Sequence, residues 1–149
     1  MALGNAAESD LMKTLFQNVA WANVGDATGL RGSTTAGSFF ITLHTANPGQ
    51  AGNQQTSEAA YTNYARVGVA RSSAGWTVTG SNPTTSENAA AVTFAQCGVT
   101  GETDTHFSVG RDSSGAGEIL WFGPLAASLA VSNGITPSFA INALTCTLQ

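Results

Sequence analysis

The hydrophobic and polar positions of this chain change period once. Over residues 8–25, ESDLMKTLFQNVAWANVG, Leu11, Leu15, Val19 and Ala22 recur at helical spacing, and Met12 and Phe16 widen the stripe. Ser9 and Asp10 are candidate caps, Glu8 and Asp10 put negative charge at the positive end, and Gly25 is a candidate terminator. The segment is expected to be an amphipathic helix that docks on something. Residues 25–38, GDATGLRGSTTAGS, have no periodicity and four glycines, and read as a loop or extended arm.

From residue 38 the texture becomes short β-rich runs between turn residues. SFFITLH (38–44) is β-branched and aromatic, YARVGVAR (64–71) alternates, and GWTVTG (75–80) places Trp76 and Val78 on one face. AAAVTFA (89–95), THFSVGR (105–111), EILWFG (118–123), SLAVS (128–132), TPSFAI (136–141) and ALTCTLQ (143–149) follow. Nine short strands with frequent turn signals predict an all-β chain, an antiparallel β-sandwich or jelly-roll-like single domain rather than βαβ units. The division expected is an N-terminal helix and Gly-rich arm over 1–37 and a β-sandwich domain over 38–149. The longest connection, NPGQAGNQQTSEAAYTN (47–63), is expected to be a surface excursion.

Composition narrows the function classes. Charged residues make up 9 % of the 149 residues, against about a quarter in ordinary domains. Such a surface is built of small neutral polar groups and suits a chain that assembles with copies of itself. Five basic residues, Lys13, Arg31, Arg66, Arg71 and Arg111, are scattered and the net charge is −4, so no patch is available to neutralise a phosphate backbone and nucleic-acid binding is not expected. No apolar run reaches membrane-spanning length, and the first 20 residues lack the basic and apolar regions of a secretory signal, so exit by lysis or a dedicated machine is expected. Cys97 and Cys146 are too few and too far apart for a zinc or redox motif; they read as small buried hydrophobes, with a disulfide as the alternative.

The candidate chemistry is thin. His44, Asp104 and Ser113 stand in the order of a serine-protease triad, yet order says nothing of geometry, and GRDSSGAG (110–117) has the composition of a β-turn. His44, His106 and Asp104 offer donors for a metal, without a spacing signature for the set. Gly115 and Gly117 precede a strand, not a helix, and read as a hairpin turn rather than an anion cradle. No catalytic, metal-binding or cofactor-binding residue is assigned, and no cofactor is expected. Glycan contact could use Trp21, Trp76, Trp121, Tyr61 or Tyr64; Trp76 and Trp121 lie in strand patterns that favour the core, so Tyr61 and Tyr64, beside the long loop, are the better candidates. In ITLHTANPGQAG (41–52), Thr42 and His44 share a strand face, which places His44 at the strand's polar edge, where a hydrogen bond would fix the departure of the long loop.

The segments AAESDLMKTLFQN, FFITLHTANPGQAGNQQTSEAAYTNYARVGVARSSAGWTV, GAGEILWFGPL and LAVSNGITPSFAINALTCTL, in that order, resemble a family of small virion proteins of tailed bacteriophages, described as tail-fibre-like or head decoration proteins. The resemblance runs from about Ala6 to Leu148, with LHTA-x-PG and YARV-x-VAR its most specific pieces. It implies a structural protein of the virion, assembled in the bacterial host cytoplasm, and carries over no catalytic residue. The location expected first is a capsid decoration (cement) protein, for which the compact length and the lack of a fibrous repeat speak; the alternative is a tail-fibre or baseplate component that contributes to receptor or glycan binding. The expected partners are the major capsid protein and further copies of the chain, as a dimer or trimer, with no nucleic acid, no membrane, and a glycan if the chain sits in the tail. Subunit or lattice contacts are expected from Leu11, Leu15, Phe16, Val19 and Trp21 of the N-terminal segment and from Pro48, Gln54, Tyr61 and Tyr64 around the long loop, many weak contacts being multiplied by symmetry.

Overall fold

The computed structural model describes residues 4–22, 24, 32–81 and 83–148. Among the described residues one helix, α1 (Asn5–Gln17), precedes nine strands: β1 (Ser38–His44), β2 (Val67–Ala70), β3 (Trp76–Thr79), β4 (Thr84–Asn88), β5 (Val92–Thr93), β6 (Glu102–Gly110), β7 (Ile119–Val131), β8 (Ser138–Phe139) and β9 (Thr145–Leu148). They form sheets of order β2-β1-β6-β7, β3-β4-β9 and β5-β8. The β1/β6, β6/β7, β3/β4 and β4/β9 pairs are antiparallel. The protein is all-β with antiparallel sheets and one short N-terminal helix, the class expected of a β-sandwich.

The chain divides into two compact units, one of Met1–Ser38, Val69–Ala91 and Phe139–Gln149, the other of Phe39–Gly68 and Val92–Ser138. The helix falls in the unit that also holds β3, β4 and β9.

In the first unit α1 lies on β3 and β4 and buries Met12 and Phe16, with the Phe16 ring edge-on to Trp76 at 4.7 Å. The helix is shorter than the hydrophobic period suggests. It starts at Asn5 after Gly4, so Ser9 and Asp10 lie inside it and cap nothing, and it stops at Gln17 because Asn18 turns left-handed (φ 58°, ψ 30°). Asn tolerates that conformation, and its side chain then accepts the Ser33 N–H and donates to the Ser33 carbonyl. Gly25, the expected terminator, lies outside the described residues. The last turn has no basic residue of its own. Arg71 supplies the missing cation from a distant stretch of chain, donating to the Thr14, Leu15 and Ala36 carbonyls and satisfying helix C-terminal acceptors that would otherwise be orphaned.

Two strand expectations change. Residues 118–123 and 128–132 join into the single 13-residue β7. Gly123 and Pro124 are accommodated because β7 is the outer strand of its sheet, where a missing N–H breaks no second ladder. The unexpected element is β4, TTSEN, central in its sheet, with Thr84, Ser86 and Asn88 buried. Cys97 and Cys146 are buried free thiols.

Candidate functional site

The second unit is organised around β1 and the long loop that leaves it. His44, placed at a polar edge by its alternation, is instead fully buried, as is Thr42. The reason is that the loop folds back along the strand: the Ala59 N–H donates to the Leu43 carbonyl, the Thr45 N–H to the Ser57 carbonyl, and His44 bridges to Glu58. The imidazole Nδ1 lies 2.9 Å from the Thr56 carbonyl and Nε2 2.8 Å from Ser108 Oγ. A carbonyl only accepts, so Nδ1 carries the proton and Nε2 accepts from the serine hydroxyl. Burial holds the His44 pKa below its ordinary value, against the pull of the Thr56 carbonyl. The bond to Thr56 ties the middle of the loop, not its start, back to the end of β1.

Gln54 is the second anchor, with no solvent exposure. Its Nε2 donates to Thr42 Oγ1, its Oε1 accepts the Asp112 N–H, and its own N–H donates to the Gly117 carbonyl. Its side chain passes so close to Gly110 and Gly117 that a Cβ at either would overlap it. Glycine is required there for room.

Arg66 is the third. Its Nε and Nη2 form a two-pronged ion pair with Glu58, both at 2.7 Å. Nη1 and Nη2 also donate to the Asp112 and Gly115 carbonyls. The guanidinium side chain is 2 % exposed and the Glu58 side chain 20 %. Two-pronged Arg–carboxylate geometry fixes both planes, so the loop of residues 45–66 and the β6–β7 turn of residues 111–118 are riveted together.

Between them lies an open cleft of about 380 Å³, lined by Gln55, Glu58, Tyr64, Arg66, Ser113 and Ser114 together with Ala59, Ala65 and Gly115. Tyr64 forms one wall, its ring stacked on Phe94 at 6.2 Å and edge-on to Tyr61 at 5.3 Å. The Tyr64 hydroxyl accepts the Leu43 N–H; burial, with the Glu58 charge nearby, pushes its pKa far up, so the phenol keeps its proton.

The residues expected to make contacts divide by exposure. Phe16, Pro48, Gln54 and Tyr61 are buried within the chain and are used in its own packing. Leu11, Leu15, Trp21 and Tyr64 are half-exposed, and Val19 is exposed. Ser113 does not meet His44; the imidazole's hydroxyl partner is Ser108, and both are buried and outside the cleft. His44 and His106 are opposite one another in the β1/β6 ladder, but His106 Nδ1 is engaged by Thr105 Oγ1, and no group of three metal-ligating side chains occurs among the described residues. Asp104 is fully buried with neither carboxylate oxygen partnered, and desolvation, with Glu102 nearby, raises its pKa to about 6.

Sequence reasoning missed Gln54 as an internal anchor and Arg66–Glu58 as the rivet. The only signal was that Arg66 is one of five basic residues in a charge-poor chain.

A comparison with curated proteins gave no match. The family model described as podophage GP4 fiber I protein gp80 matches residues 2–147. With nearly its whole length covered, the chain belongs to the podophage GP4 fiber I protein gp80 family and is a structural protein of a tailed-phage virion.

Proposed function

We propose that this chain is a fibre component of a tailed-phage particle that works by binding rather than by catalysis. The family match carries the reading, because its description is that of a fibre protein. Capsid cement, the location favoured by the chain's compact length, becomes the second reading. The non-catalytic part is supported by His44, whose two ring nitrogens are both committed inside the protein. A general base needs a free acceptor within reach of substrate. Further copies of the chain are the proposed partner, with Val19 and the half-exposed Leu11, Leu15 and Trp21 the residues placed to contribute.

Location is tested by labelling. An epitope-tagged copy, imaged on intact particles by gold-labelled antibody, should appear at the single tail-bearing vertex. Label spread over the whole head would overturn the fibre reading in favour of cement.

A further inference from the structure

We propose that the cleft between the riveted loop and the β6–β7 turn is a binding site for a neutral, hydroxyl-rich saccharide unit. The inference rests on the fibre reading for its biological source, a host-surface glycan, but the chemistry is that of the cleft alone.

The polar groups of the cleft decide the ligand's charge. Arg66 is the cation lining it, and four of its five N–H bonds are already directed at Glu58, Asp112 and Gly115, with 2 % of the side chain exposed. An anionic ligand would therefore find no free cation and would face the Glu58 carboxylate. A cationic ligand gains little, since that carboxylate is already paired with a guanidinium. A neutral donor is suited. An ionised carboxyl has about four acceptor positions; Arg66 takes two. Glu58 lines the cleft with its side chain 20 % exposed, so acceptor capacity is left to a ligand. Ser113 and Ser114, both exposed, can each donate and accept, and Gln55 adds an exposed amide. Groups that accept, donate and do both, within one cleft, match the dual character of sugar hydroxyls.

The remaining surface is apolar. Tyr64, Ala59 and Ala65 present carbon to the cleft, as the C–H face of a pyranose requires. The Tyr64 ring is held by its hydroxyl at one end and by Phe94 against its plane, so it loses little freedom when a ligand arrives. The turn carrying the serines is tied by Arg66 at the Asp112 and Gly115 carbonyls and by Gln54 at the Asp112 N–H. Prior ordering of this kind lowers the cost of binding. The volume of about 380 Å³ falls within the range of small-ligand sites. Affinity for a single sugar should be weak, and a multi-copy fibre would raise it through avidity.

The test is amide NMR of the isolated chain titrated separately with glucose, galactose, mannose, rhamnose and, as an anionic probe, N-acetylneuraminate. At least one neutral sugar should move the amides of Gln55, Ser113, Ser114 and Gly115 with a Kd of about 1–10 mM, ordinary for a small ligand making few contacts. The S113A/S114A double variant should weaken that binding about tenfold. Both serines are exposed, and Gln55→Ala at an exposed loop position supplies a second variant if the turn rearranges. The proposal is overturned if no neutral sugar shifts these amides up to about 100 mM, if the shifts lie elsewhere, or if N-acetylneuraminate binds as well as the best neutral sugar. Sugar binding with label over the head would leave the site standing and remove the fibre reading. Label at the tail without sugar shifts would do the reverse.

Discussion

Strands β1 and β4 are both interior strands of their sheets, and both bury polar side chains, but they treat those side chains differently. On β1, Thr42 Oγ1 receives the Gln54 amide and His44 is bonded at both nitrogens. On β4, the Thr84 and Ser86 hydroxyls are buried without a partner, and only Asn88 at the strand's end is satisfied, accepting the Leu144 N–H and donating to the Ala90 and Ala140 carbonyls. A buried polar group costs free energy unless it is bonded. The β1 network therefore fixes one arrangement of the loop and turn beside the cleft, whereas the β4 hydroxyls add cost without fixing anything. Burial of a polar residue is thus no guide to its importance; its bonds are.

The comparison breaks most visibly at Arg66. Arg66→Ala removes the two-pronged pair and leaves Glu58 and two carbonyls without their donor. Breaking one side of a largely buried ion pair costs about 3 kcal/mol or more, so the urea midpoint should fall by the corresponding amount. Hydrogen exchange should accelerate first in residues 111–118, because the turn loses its rivet while β1 keeps its ladder.

These anchors explain what could and could not be read from the chain. β1 was legible because SFFITLH is dense in β-formers, and α1 because Leu11, Met12, Leu15 and Phe16 keep helical period. The end of α1 was not, since the hydrophobic period continues to Ala22 while a left-handed Asn18 ends the helix. β4 was invisible because TTSEN carries no hydrophobic alternation; its membership is decided by neighbours β3 and β9, contributed by other parts of the chain. The cleft was half legible. Tyr64 was singled out as an aromatic beside a long loop, but Ser113 and Ser114 reach the same place only because Arg66 and Gln54 tie their turn down. Such long-range bonds leave no local mark.

Asp104 sharpens the comparison inside the second unit, since it is a buried polar group on β6 that has no bonds. Its folded pKa of about 6 lies above the ordinary 3.8, so the unfolded chain releases the proton first. Stability falls as pH rises from about 4 to about 6 and stays reduced above that, by about 3 kcal/mol at most. His44 works the other way: its pKa is lowered from 6.5, so its contribution is present above pH 6.5 and is lost as pH falls through the lowered folded value. Asp104→Asn removes the first effect and leaves the second. Urea unfolding of both proteins at pH 4 and pH 8 should show the variant gaining on the parent at the higher pH. A constant difference between the two would mean that the carboxyl finds a partner in solution.

The finest test applies one chemical change to both strands. Thr42→Val and Thr84→Val each replace a buried hydroxyl by a methyl group of similar shape. On β1 the change strips Gln54 Nε2 of its acceptor and should cost about 1–2 kcal/mol. On β4 it removes an oxygen that has no partner, and should leave stability unchanged or raise it by up to about 1 kcal/mol. The signs carry the argument, because β-branching is preserved in both variants and strand propensity barely changes. Urea midpoints with unchanged m-values would report the two effects directly. Equal losses at both positions would show that the Thr84 hydroxyl is bonded after all, and the distinction between a network that holds a loop and a stripe that only fills a sheet would fail at β4.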